Sequence, residues 1–452
     1  MAIREACGVF GIYDLGGGCA RSTYYGLYAL QHRGQEDCGI ATINDLELSC
    51  YKDTGLVGDV FDEAKLDELD GTMAIGHVRY GTESEKRREN AQPLTFMYAK
   101  GSLAVAHNGS LVNGGELKRE YESNGAVFHT TTDSEVIAHT IALTRLQTDS
   151  IEDAVCQTMK RLRGAFSLVV MSSRKLIAAR DPWGFRPLCI GKRGDAIVFA
   201  SETCALDSVG ATYVRDVEPG EVVCVYEGQI SSNHENRIEK SSLCIFEHLY
   251  FARPDSVIDS QSVYGARLLA GRQLAREHPI DADVVIGVPD SGLVAAKGYS
   301  LESGIPYKDG FIKNRYIGRT FIKPLQSSRK EAVKIKLNPL RATIGGKRVI
   351  MIDDSIVRGT TAVQIIRLLR SAGAKEIHVL SSAPKFISPC YFGTDIPSKD
   401  ELFACKHTTD EMRRIIDADN LGFLSVESLG VIAPDSTCDF CDACFTENYP
   451  IK

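Results

Sequence analysis

VIMIDDSIVRGTT (349–361) runs from an apolar strand into two adjacent carboxylates, then through a loop of small and hydroxyl-bearing residues toward a helix. The helix is legible from Ala362, Ile365, Ile366 and Leu369, which fall at i, i+3, i+4 and i+7, and from Gly373, placed to end it. EIHVL (376–380) follows as the next strand. Upstream, DVVIGV (283–288) reads as another buried parallel strand, ending in the turn VPDSG (288–292). Strand, helix, strand implies an α/β sheet, and its ligand site belongs at the carboxyl ends of the strands, where 289–292 and 353–361 lie. A helix N-terminus preceded by hydroxyls suits a phosphate. Paired acids suit sugar hydroxyls and a magnesium ion. A dinucleotide fold is the competing reading, but the G-x-G-x-x-G fingerprint is missing.

The first half has a different texture. Residues 7 to about 230 read as many short strands with Gly-rich turns, among them SLVVM (167–171), AIVFA (196–200) and GEVVCVYEG (220–228), with helical patches such as Asp133 to Leu146. The polar stretch SSNHENRIEKSS (231–242) lacks apolar periodicity and is a candidate linker. A chain of 452 residues suits two or three domains. No apolar run reaches bilayer length, and the opening MAIREA is too short and polar for a signal peptide, so a cytoplasmic, membrane-free protein is expected. The net charge of −7 argues against nucleic-acid binding. From Lys313 to Arg348, however, eleven Lys or Arg face one acid, Glu331, which reads as an anion-attracting stretch or as a solvated basic loop.

Fourteen cysteines in a reducing compartment point to metal binding or catalysis rather than disulfides. Cys438, Cys441 and Cys444 repeat the C-x-x-C spacing twice. Spacing alone leaves zinc and iron–sulfur equally open; a redox dithiol lacks a thioredoxin-like context.

CGVFGIYD from Cys7, LQHRGQEDCGIA (30–41), GHVRYGTES (76–84), AHNGSL (106–111) and TTDSEV (131–136) together resemble the glutaminase domain of the N-terminal-nucleophile amidotransferases. Taken alone, Cys7 before an apolar strand reads as a buried structural cysteine. The resemblance instead implies an α+β domain of stacked antiparallel sheets over 7–235, with Cys7 as nucleophile and its own α-amine as base. It assigns Asn108 and Gly109 to an oxyanion hole, Arg79 to the glutamine α-carboxylate, Asp133 to the glutamine α-amine, and Arg33 to the lining of the same site. Acyl transfer calls for such a nucleophile, base and oxyanion hole. Because the Cys7 amine is bound to Ala6, residues 1–6 are expected to be a propeptide. In this the chain departs from relatives whose cysteine directly follows the initiator methionine.

VIMIDDSIVRGTT resembles the diphosphate-sugar signature of type I phosphoribosyltransferases, which implies an α/β domain over 243–452. On that resemblance Asp353 and Asp354 handle ribose hydroxyls and Mg²⁺, Ser291 is Mg²⁺-linked, and Ser355, Arg358, Gly359, Thr360 and Thr361 belong to the loop wrapping the 5′-phosphate. KNRYIGRTFIKP (313–324) resembles a loop that closes over substrate, making Lys313, Arg315, Arg319 and Lys323 candidate diphosphate contacts. EHLYFARPDSVIDSQSVYGARLLAGRQLA (247–275) is similar to the amidophosphoribosyltransferase family of purine synthesis, so the resemblance covers nearly the whole chain. One branch of that family carries a structural [4Fe–4S] cluster and a propeptide. The resemblance assigns its ligands to Cys244, Cys390, Cys441 and Cys444, with Cys438 as a rival neighbour. Cys19, Cys50, Cys156, Cys189, Cys204, Cys224 and Cys405 are left as buried packing residues. Glutamine and phosphoribosyl diphosphate are the implied substrates, purine nucleotides the implied feedback inhibitors, and a homo-oligomer, often a tetramer, the implied assembly. Two other readings remain: another glutamine amidotransferase, such as glucosamine-6-phosphate synthase or asparagine synthetase, or a phosphoribosyltransferase-fold regulator without turnover.

Overall fold

Alternation along Gly8–Tyr13 sets the first layer of the molecule. Phe10 and Ile12 face one side, and Val9 and Tyr13 the other, as a strand buried on both faces requires. The computed structural model describes residues 7–80, 88–314, 337–394, 396 and 398–451. Residues 1–6, the end of GHVRYGTES from 81 onward, Arg315, Arg319 and Lys323 lie outside the described residues.

Gly8–Tyr13 lies near the middle of a seven-stranded sheet, antiparallel to Met73–Arg79 on one side and Ala196–Ala200 on the other. A six-stranded sheet stacks on it, with Gly101–Leu111 paired to Gly164–Ser172. Val9, Ile75, Ala104, Val169 and Phe199 fill the space between the sheets. Helix Cys19–Ala29 covers the outer face of the first sheet, and helices Asp133–Arg145 and Ile151–Met159 that of the second. These are the stacked antiparallel sheets expected of the first half.

The second half holds a parallel sheet of Val284–Gly287, Arg348–Asp353, Glu376–Ser381 and Asn420–Phe423, in that order. Helices Val263–Glu277 and Gly292–Ser303 pack on one face through Ala270, Leu274, Ala295 and Tyr299. Thr360–Ser371 and Thr409–Ile416 pack on the other through Ile365, Ile366, Leu369 and Met412. The apolar stripe read at 362–369 is the buried face of the first of these.

Two sequence readings need correction. The expected linker starts inside a strand: Gln229–Asn233 pairs with Val222–Tyr226, and Asn236 then donates to the Cys156 carbonyl at 3.0 Å. This strand is mostly exposed and carries no apolar alternation to betray it. Cys405 is exposed rather than packed. Between the halves, Leu243 and Cys244 pair in parallel with Phe440 and Cys441, which returns the C-terminal segment to the junction.

Candidate functional site

Strand pairing sets Gly8 opposite Val78, so Cys7, just before the strand, meets Arg79 and Tyr80. Its thiol contacts the Tyr80 carbonyl at 3.8 Å. Burial pushes the thiol up from its ordinary value, against the weaker opposing effects of the Tyr80 contact and the Arg79 charge. The sulfur therefore keeps its proton near neutrality and needs a base to attack. Cys7, Arg79, Gly109 and Asp133 line one cavity of about 620 Å³. Arg79 donates to Asp37 at 3.1 Å. Asp133, opening its helix, accepts from the Leu111 N–H at 2.6 Å through one oxygen; the other lies 3.8 Å from His107 Nδ1.

Asn108 stands in the strand that forms this wall, 1 % exposed, and neither atom of its amide has a hydrogen-bond partner among the described residues. An unsatisfied buried amide costs about 1–3 kcal/mol, so its donor stands ready for a charge that arrives with substrate. Gly109 has φ +144°, and a Cβ there would lie 2.1 Å from the Ala165 carbonyl oxygen; only glycine fits. Part of the cavity wall comes from the second domain: Cys390, Tyr391, Gly393 and Thr394.

Arg33 does not line this cavity, which corrects the expectation that it meets glutamine. Its fully buried guanidinium donates through Nε to the Cys7 carbonyl at 3.1 Å, through Nη1 to Glu202 at 2.5 Å, and through Nη2 to both oxygens of Glu247 at 2.8 and 2.9 Å. It fixes the nucleophile from behind. Glu247 also accepts from Arg186 at 3.0 Å, and Arg186 donates to the Phe392 carbonyl and to Oγ1 of Thr394, the latter a residue of the cavity wall. Sequence reading missed Glu202, Glu247 and Arg186. The available signal was Glu247 itself, a carboxylate inside the apolar run CIFEHLYF (244–251), since such charges are buried only when paired.

A second cavity, of about 500 Å³, opens at the carboxyl ends of the parallel strands. Ser291, Asp353, Asp354, Ser355, Arg358, Gly359 and Thr361 line it; Thr360 is not part of the lining. Ser291 and Ser355 both donate to Asp354, and Asp353 accepts from the Asp354 N–H at 3.0 Å. Burial, reinforced by the neighbouring Asp354 charge, raises Asp353 well above the usual carboxylate range. Gly359 caps the following helix at φ +75°, where a Cβ would press into the Phe403 ring at 2.8 Å. Arg358 pairs with Glu401 at 2.7 Å. Of the basic loop candidates, Lys313 reaches the cavity and pairs with Asp290. His32 and Arg253 line it as well.

Cys244, Cys390, Cys441 and Cys444 share a third, small cavity of about 20 Å³ with Phe185, Phe246 and Phe392. Cys438 is absent from it, and its N–H donates instead to Asp259 at 2.7 Å. Burial, then the three other thiols, raises Cys444 well above its ordinary value. Among the described residues no group of three His, Cys, Asp or Glu is arranged to hold a metal ion. One tetrahedral zinc demands such a group. A four-iron cluster instead spreads its thiolates over separate irons, and a Mg²⁺ site uses one or two carboxylates completed by substrate phosphates and water.

A cysteine amidohydrolase pocket walled by a phosphate-binding α/β domain defines a glutamine-dependent phosphoribosyltransferase. Models of a glutamine amidotransferase domain and a phosphoribosyl transferase domain match residues 77–208 and 265–385. The amidophosphoribosyltransferase of Methanocaldococcus jannaschii is 48 % identical over 99 % of this chain and 98 % of its own. That of Synechocystis sp. is 49 % identical over 99 % and 91 %. A Bacillus subtilis glutamine phosphoribosylpyrophosphate amidotransferase, solved with ADP and GMP, superposes with TM-score 0.91 at 47 % identity, covering 99 % of this chain and 98 % of that one. The chain belongs to the amidophosphoribosyltransferase family.

Proposed function

We propose that this protein hydrolyses glutamine to glutamate and ammonia at Cys7, and that the ammonia displaces diphosphate from 5-phosphoribosyl 1-diphosphate to give 5-phosphoribosylamine, the first committed step of purine synthesis. The observation that carries this reading is the shared wall: Cys390, Tyr391, Gly393 and Thr394 of the second half line the cavity that holds Cys7. Once residues 1–6 are removed, the freed α-amine takes the thiol proton and the sulfur attacks the glutamine amide carbon. Asn108 and Gly109 stabilise the resulting oxyanion, while Arg79 and Asp133 hold the glutamine α-carboxylate and α-amine. Asp353 and Asp354 orient the ribose, and the 355–361 loop with its helix N-terminus holds the 5′-phosphate. Asp353, Asp354 and Ser291 form an oxygen-only set that would hold Mg²⁺, which supplies charge neutralisation at the leaving diphosphate.

Cys244, Cys390, Cys441 and Cys444 fit a structural [4Fe–4S] cluster in number, donor type and convergence. The protein purified without oxygen is expected to show broad visible absorption and about four iron atoms per chain. Cys444→Ser should lose both, and Cys438→Ser neither; zinc in place of iron would end this assignment. Feedback by purine nucleotides draws support from the relative solved with ADP and GMP. A cytoplasmic location agrees with fourteen free thiols, and no helix among the described residues is long and apolar enough to cross a membrane. A homo-oligomer, often a tetramer, is the assembly expected of the family.

Rival amidotransferases with other acceptors do not account for the cavity at 353–361, and a regulator without turnover does not account for the one around Cys7. Supplying glutamine, phosphoribosyl diphosphate and Mg²⁺ should yield glutamate and 5-phosphoribosylamine from a chain whose first residue is Cys7. Glutamate release that ignores phosphoribosyl diphosphate, or an active chain retaining MAIREA, would contradict the reading.

A further inference from the structure

We propose that Glu202 is the positioning residue through which occupancy of the phosphoribosyl cavity is conveyed to Cys7; this rests on the reading of the two cavities given above. Glu202 lines neither cavity and is 1 % exposed. One of its oxygens accepts from His32 Nε2 at 2.7 Å and from Arg33 Nη1 at 2.5 Å. The other accepts from the Arg253 N–H at 2.9 Å and the Ser256 hydroxyl at 2.7 Å, with the Cys204 thiol at 3.7 Å. His32 and Arg253 are wall residues of the phosphoribosyl cavity. Arg33 is the residue that holds the Cys7 carbonyl. A single buried carboxylate therefore joins one cavity's wall to the other's nucleophile.

The donors on Glu202 compete for a fixed number of lone pairs, in surroundings where losing a partner is expensive. A diphosphate-bearing ligand is a strong rival acceptor for the His32 ring and the Arg253 segment. When they turn toward it, the Glu202 oxygen that His32 and Arg33 share is left to Arg33, the other keeps Ser256, and the hold of Arg33 on the Cys7 backbone changes with it. Coupling of this kind needs two arrangements that the ligand distinguishes: the one observed, with His32 and the Arg253 N–H on Glu202, and the one proposed, in which both face the ligand. Linkage makes the binding part of the effect reciprocal: by whatever factor phosphoribosyl diphosphate raises the affinity for glutamine, glutamine raises the affinity for phosphoribosyl diphosphate, whereas the change in turnover carries no such symmetry.

The test uses the full-length mature protein and measures glutamate release with and without phosphoribosyl diphosphate and Mg²⁺, alongside synthesis from free ammonia. In Glu202→Gln the stimulation ratio is expected to fall by about tenfold or more, within the range of ordinary site-to-site couplings, while ammonia-supported synthesis stays within about twofold of the unsubstituted protein. A purely structural clamp would not single out the ratio. Glu202→Gln with the full ratio and intact ammonia-supported synthesis overturns the proposal. Should that variant lose ammonia-supported synthesis as well, Ser256→Ala decides: it removes the donor that shares a Glu202 oxygen with the Arg253 N–H, a ratio reduced about threefold or more supports the proposal, and an unchanged ratio overturns it. An unsubstituted protein showing no stimulation at all refutes the functional reading itself, a different outcome from either.

Discussion

Cys7→Ala is expected to lower glutamine-supported synthesis by about 10³-fold or more, while synthesis from ammonia stays within about twofold. Removing a nucleophile that acts as a unit with its base removes most of the catalysis. The second domain has its own cavity and its own parallel sheet, and nothing in the lining of that cavity comes from Cys7. The pH dependence follows from the same site. Burial holds the Cys7 thiol above its ordinary value, so it remains protonated near neutrality. The base must take that proton, and an α-amine with a reference pKa of about 7.7–8.0 does so only in its neutral form. Glutamine-supported kcat should therefore rise with pH through roughly 7 to 8 and then level. A chain that keeps residues 1–6 has no such amine and should lack glutaminase activity while still using ammonia. Glutamate release and ammonia-supported synthesis, measured side by side across pH, test each part. Glutamine-supported turnover unaffected by Cys7→Ala would remove the nucleophile from the scheme.

Legibility in the sequence followed the range of the interaction. AIVFA at 196–200 declares itself as a continuous apolar run, buried along its whole length, and the stripe Ala362, Ile365, Ile366, Leu369 because burial of one helix face imposes a local period of three to four. The loop 353–361 declares itself because one short segment holds both the acids and the helix start. Arg33 sits in a readable motif, yet its task was not readable. Its partners Glu202 and Glu247 stand 169 and 214 residues away, and only folding shows that they, rather than a ligand, take its donors. The choice among Cys438, Cys441 and Cys444 is similar: equal spacing in the chain becomes unequal in space, because Asp259 draws Cys438 out of the group. At 229–233 an exposed edge strand, buried on neither face, writes no alternation for the eye to find.

Asp353→Asn and Asp354→Asn should each lower synthesis by about 10²-fold or more with glutamine and ammonia alike, which separates them from Cys7→Ala. Two adjacent carboxylates, both about nine-tenths buried, repel one another. Stability alone does not favour such an arrangement, and burial with the neighbouring Asp354 charge disfavours the ionised form of Asp353. Asn at 353 keeps the side chain's size and removes the repulsion, so without ligand the variant should melt at or above the temperature of the unsubstituted protein. Adding phosphoribosyl diphosphate with Mg²⁺ should then raise the melting temperature of the unsubstituted protein and leave Asp353→Asn nearly unmoved, because a ligand stabilises only the fold that binds it. Stability gained while turnover is lost is the signature of a group kept for substrate rather than for folding. If Asp353→Asn instead melts earlier and still makes 5-phosphoribosylamine from ammonia within about tenfold of the unsubstituted rate, the carboxylate pair is structural. The sugar would then have to be held by other residues of the cavity.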